Sequence, residues 1–110
     1  MKSVSKWTVA ILVVAGLILP TSPVASFADD GAALYKSKCA MCHGPDGKGD
    51  TAMGKTMKVK DLASADVQKQ SDADITTIIE KGKKPMPGYE GKLTKDQIDG
   101  LVKYVRSLKN

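Results

Sequence analysis

The chain has 110 residues, 26% charged and 42% hydrophobic, with two cysteines, one histidine and a formal net charge of +5. This mild positive balance comes with no aromatic–basic alternation and no nucleic-acid motif, which argues against a nucleic-acid partner. Two cysteines allow one disulfide at most.

In chain order, residues 1–28 read as a secretory signal. Lys2 and Lys6 open it, Trp7 to Leu19 run 13 residues without a charge, and Pro20 ends the run. Small residues follow, with Ser26 and Ala28 at the −3 and −1 positions before Asp29. A membrane span needs about 20 apolar residues, so a cleaved signal is expected ahead of an uncleaved anchor. The first cysteine, Cys39, lies too far downstream for lipid attachment at the signal end.

The expected mature chain, 29–110, is a single exported, soluble domain. Without Lys2 and Lys6 it keeps 15 basic residues against 12 acidic, a net +3. Trp7 and Phe27 leave with the signal, so its only aromatic residues are Tyr35, Tyr89 and Tyr104. So small a domain is marginal unless its core is supplemented. A Cys39–Cys42 bridge would close too short a loop to constrain much. A bulky apolar cofactor would fill the missing volume.

Three segments are predicted as helices, with no repeat and no alternating strand. The first runs from about Asp30 to Cys42, with Asp29 or Asp30 as its N-cap. The second follows Ser71 and Asp72, with Ile75, Ile78 and Ile79 at helical spacing and Gly82 as the stop. The third opens on the capping box Thr94-x-x-Gln97 and carries Ile98, Leu101, Val102, Val105 and Leu108 on one side. Gly100 inside it costs about 1 kcal/mol relative to alanine, which close approach of another helix would explain. A short helix around Ala65–Lys69 is weakly signalled. Residues 44–60, rich in Gly, and 82–92, rich in Pro and Gly, read as long loops; long irregular loops in an all-α domain suggest that they wrap something.

Both cysteines and the histidine fall within five residues, Cys39-Ala40-Met41-Cys42-His43. This is C-x-x-C-H, the attachment pattern of c-type haem. Positions i and i+3 share a helix face, so both thiols reach one porphyrin edge as thioethers and His43 follows as the axial nitrogen ligand. A zinc site needs about four ligands, a thioredoxin-like motif needs a βαβ setting, and a plain disulfide leaves His43 as coincidence. For the second axial position no other histidine exists. Met41 lies inside the motif, Met53 and Met57 in the first loop, and Met86 in Lys-Pro-Met-Pro, 43 residues beyond His43. Pro85 and Pro87 restrict the backbone around Met86, which lowers the entropy lost on pinning its thioether. Met86 is therefore the favoured ligand.

These residues resemble class I c-type cytochromes, the short bacterial mono-haem kind, over nearly all of residues 30–108. Gly31 and Tyr35 ahead of Cys39 look like the family's first helix, and Leu101 to Tyr104 like the last-helix element that crosses it. The resemblance implies an all-α cytochrome c fold, with three main helices and long loops around one covalently bound haem c. It implies that Gly31 and Tyr35 meet Leu101 and Tyr104, and that His43 and Met86 ligate the iron. Many members set a Trp against a haem propionate; the mature chain has none, and Tyr89, Thr or Lys side chains are candidates to replace it. Pro45 is a candidate for the carbonyl that orients His43.

His/Met ligation raises the potential of cytochromes c, and with both axial positions filled the expected chemistry is outer-sphere transfer of one electron. The chain is thus expected to be a periplasmic, monomeric electron carrier of a respiratory chain and not an enzyme. Its expected partners are redox proteins such as a membrane cytochrome complex or a terminal oxidase or reductase. The rivals are a haem enzyme or a gas or peroxide sensor with an open sixth position, and a haem subunit docked in a respiratory complex. Lys48, Lys55, Lys58, Lys60, Lys83 and Lys84 flank the proposed site and form either an ordinary solvated surface or a docking face.

Overall fold

The computed structural model describes residues 10–21 and 27–109. Among them are six helices and no strand: α1 (Phe27–Lys38), α2 (Ala40–His43), α3 (Ala52–Met57), α4 (Ala65–Gln68), α5 (Asp72–Lys81) and α6 (Lys95–Ser107). The all-α class expected from the sequence is observed. Much of the expected signal segment lies outside the described residues. Residues 10–21 have no regular structure, and no described helix is long and apolar enough to cross a membrane.

The two later helices start where their sequence signals lie. Thr94 caps α6: its hydroxyl accepts from the Gln97 amide at 3.2 Å, and the Gln97 side chain accepts from the Thr94 amide at 2.8 Å. Ser71 and Asp74 form the same reciprocal pair on α5, which ends at Gly82 with φ +77°. Each cap satisfies amides that a helix start leaves without partners. The apolar face of α6 buries Ile98, Leu101, Val102 and Val105, and that of α5 buries Ile75 and Ile79.

α1 packs chiefly against α6. Tyr35 and Leu101, each 2% exposed, lie in this junction's core. The rings of Tyr35 and Tyr104 meet with centroids 4.6 Å apart and planes tilted by 39°. Gly31 abuts Gly100 so closely that a Cβ on Gly31 would overlap the Gly100 carbonyl. The glycine inside α6 thus stands at the helix crossing.

The structure departs from the sequence reading at three places. α1 already begins at Phe27, so Asp29 and Asp30 fall within it and do not precede it. The single helix expected to reach Cys42 breaks at Cys39. There the Cys42 amide donates to the Cys39 carbonyl at 3.2 Å, a tighter i−3 bond than the α-helical i−4. Within the first loop, α3 forms because Thr51 accepts from the Gly54 amide at 2.8 Å. Gly54 then lies under the carbonyls of Cys42 and Gly49, where no Cβ fits.

The weakly signalled helix is α4. Arg106 of α6 fastens it to the start of α5. Its guanidinium donates to the Gln68 carbonyl at 2.8 Å, to the Gln70 carbonyl, and to the Asp72 carboxylate at 2.8 Å.

Candidate functional site

The motif begins at Cys39, in the break between α1 and α2, and its other four residues form α2; hydrogen bonds to the backbone of this segment hold it in place. The Cys39 amide donates to the Tyr35 carbonyl at 2.9 Å and the His43 amide to the Cys39 carbonyl at 2.9 Å. The Tyr35 hydroxyl donates to the Gly44 carbonyl at 2.6 Å, the Thr51 hydroxyl to the Cys42 carbonyl at 2.9 Å, and the Gly49 amide to the His43 carbonyl at 2.7 Å. The motif is gripped from α1 on one flank and from the first loop on the other.

Met86 comes from the second loop. Its amide donates to the Lys83 carbonyl at 2.8 Å and its carbonyl accepts from the Lys83 amide at 3.1 Å, which closes a four-residue turn. Downstream, the Tyr89 and Glu90 amides donate to the Ile79 and Glu80 carbonyls at 2.9 and 3.0 Å, so the loop runs back along the end of α5.

Cys39, Cys42, His43 and Met86 all line one cavity of about 510 Å³. Its apolar wall includes Val59, Leu62, Ile75, Ile78 and Ile79. Met41 and Met57 also border it, whereas Met53 does not and is 42% exposed. The four expected site residues are therefore brought together, and of the other loop methionines only Met57 accompanies them.

A flat apolar macrocycle with a metal centre fits this donor set. Both cysteines are free thiols and half-buried. Burial, with the Cys42 thiol second, pushes the Cys39 thiol up to about 11. The His43 Nδ1 is buried without a hydrogen-bond partner, and burial lowers the pKa of the imidazole below its usual value, favouring the neutral ring that a metal requires. The Pro45 carbonyl does not accept from this nitrogen. Tyr89 borders the cavity, but its hydroxyl donates to the Lys38 carbonyl at 3.2 Å.

The charged residues on the cavity rim, His43 aside, are Lys38, Lys58, Lys60, Lys83 and Lys84, with no carboxylate. None of these five is ion-paired among the described residues. The pairs lie elsewhere, at Lys55–Asp50, Lys69–Asp66, Lys81–Glu90, Lys95–Asp99 and Arg106–Asp72. Of the six lysines the sequence associated with the site, Lys48 and Lys55 do not border the cavity. Lys38 does, and sequence reasoning missed it because it belongs to α1, before the motif.

The chain belongs to the small class I c-type cytochromes: the family model described as "Cytochrome C oxidase, cbb3-type, subunit III" matches residues 26–105. Cytochrome c6 of Microcystis aeruginosa is 36% identical over 76 residues, covering 69% of this chain and 90% of its own. Cytochrome c6 of Thermosynechococcus vestitus is 34% identical over 92 residues, 81% of this chain and 79% of its own. A solved structure titled "KustC0563 c-type cytochrome" superposes with a TM-score of 0.68 at 36% identity, covering 74% of this chain and 99% of that one. The protein accordingly carries one covalently bound haem c and serves in electron transfer.

Proposed function

We propose that Cys39 and Cys42 would carry the haem as thioethers and that His43 and Met86 would be the ligands of its iron. The observation that carries this reading is the shared cavity: two free thiols, a neutral-tending imidazole with an unpaired buried nitrogen, and a thioether on a loop closed by its own turn. The bound haem supplies a one-electron couple. The chain's own residues would hold it at Cys39 and Cys42, keep water from it with Ile75, Ile78 and Ile79, and supply its iron ligands from His43 and Met86. A thioether ligand and an apolar wall both favour the less charged reduced state, so a raised potential follows.

With neither axial position open, the protein works as a one-electron carrier and not as an enzyme or a gas sensor. Residues 1–28 are a signal that is removed, and residues 29–110 act as a soluble monomer in the periplasm. The five rim lysines without carboxylate partners favour a redox partner with an acidic face, such as a membrane cytochrome complex or a terminal oxidase or reductase.

The test is spectroscopic. The ferric protein should be low-spin with a sulfur-to-iron near-infrared band, and Met86→Ala should abolish the band. Met57→Ala and Met53→Ala should keep it. A band lost with Met57→Ala would move the ligand to α3, and a high-spin ferric protein would return the open-site rival.

A further inference from the structure

We propose that Tyr89 is a positioning residue: its hydroxyl ties the loop that carries Met86 to the end of the helix that presents Cys39, and so sets how firmly Met86 stays on the iron. The proposal rests on the reading of Met86 as ligand.

Two parts of the chain far apart in sequence have to be held in register for such a site to work. The motif follows α1, and Met86 stands in a loop fixed to α5 through the Tyr89 and Glu90 amides. Among the described residues, the hydrogen bond that joins this loop to α1 is Tyr89 Oη to the Lys38 carbonyl, 3.2 Å, between residues 51 apart in sequence. Lys38 is the last residue of α1. Its carbonyl belongs to the set that a helix end leaves without an intrahelical partner, and the amide that would have reached it, that of Cys42, has tightened onto Cys39 instead. Tyr89 thus meets a vacancy created by the same break that orients the motif.

The ring contributes as well as the hydroxyl. Tyr89 is half-buried, borders the cavity beside Cys39 and Met86, and packs on the hydrophobic core. A phenylalanine there would keep this packing and lose only the tether. Tyr89 is three residues beyond Met86, and the segment between them, Pro87-Gly88, has little freedom: no Cβ fits at Gly88, which lies against the Glu80 and Lys81 carbonyl oxygens. A restraint at position 89 is therefore transmitted to position 86.

The experiment uses the haem-loaded, ferric protein and titrates it with imidazole, which competes with the thioether for iron; the loss of the sulfur-to-iron near-infrared band is read. One net hydrogen bond corresponds to about a five-fold change in an equilibrium, so Tyr89→Phe should bind imidazole about five-fold more tightly than wild type. Tyr104→Phe, which removes a hydroxyl from α6 and leaves the tether intact, should not change imidazole affinity. Thermal unfolding of the same variants separates a general loss of stability from a local one. A lowered Tm for Tyr89→Phe with unchanged imidazole affinity overturns the proposal. A wild-type protein without the band overturns the Met86 reading itself, so the two failures are distinct.

Discussion

Gly31 and Gly100 meet backbone to backbone where α1 crosses α6, with no room for a side-chain carbon on Gly31 above the Gly100 carbonyl. The crossing fixes the course of α1, and with it the start of the Cys39–His43 motif. Gly31→Ala forces the helices apart. Overpacking of this kind costs about 1–3 kcal/mol, which should be seen as a lowered denaturant midpoint of the haem-loaded protein with its spectrum otherwise retained.

Tyr35 links this crossing to the loop behind His43. Its buried hydroxyl donates to the Gly44 carbonyl at 2.6 Å, and burial is the first cause that raises its pKa well above the ordinary value of 10.0. Because the folded pKa is the higher, this contribution to stability is complete below pH about 10 and is lost as pH rises further. Tyr35→Phe should cost about 1–3 kcal/mol at neutral pH, since a buried carbonyl loses its donor. The same variant should flatten the alkaline fall in stability, followed by denaturation between pH 8 and about 12.

Arg106 holds the wall of the cavity from outside. Its side chain is 28% exposed, but Asp72 is 73% exposed, so the ion pair itself adds little. The bonds to the Gln68 and Gln70 carbonyls matter more. Arg106→Ala should destabilise by about 1–3 kcal/mol. Arg106→Lys should recover only part of this, because an ammonium cannot span three acceptors as a planar guanidinium does. Thermal unfolding of both variants checks the order.

The unpaired lysines on the rim carry a kinetic prediction. Second-order electron-transfer rate constants with an acidic redox protein should fall as salt rises, because exposed charges are screened over about 8–10 Å at 0.1–0.15 M. Lys83→Gln together with Lys84→Gln should weaken the dependence. Lys69→Gln, just past the end of α4 and paired with Asp66, should leave it unchanged. A flat salt response in the wild type would make the rim an ordinary solvated surface.

Features encoded within a few residues were legible before the fold. The spacing of Cys39, Cys42 and His43 is local, and so are the caps at Ser71 and Thr94, the stop at Gly82 and the apolar face of α6. Each depends on which side chains share a helical turn or reach a neighbouring amide. The absence of α3 from the sequence reading has the same cause in reverse: Ala52–Met57 is too short to show a period, and Thr51 was not read as a cap.

What the sequence determined by itself was a motif able to carry haem, the helices around it, and a short set of methionines for the remaining ligand. Tertiary structure decided that Met57 and Met86 border the cavity while Met53 does not, and that Lys38 joins the rim. It also decided that Tyr89 reaches Lys38 and that Arg106 spans from α6 to Asp72. These relations join residues 34 or more positions apart, and no local period or spacing encodes them. They exist only once the helices have packed, because packing sets which distant side chains come within hydrogen-bond reach.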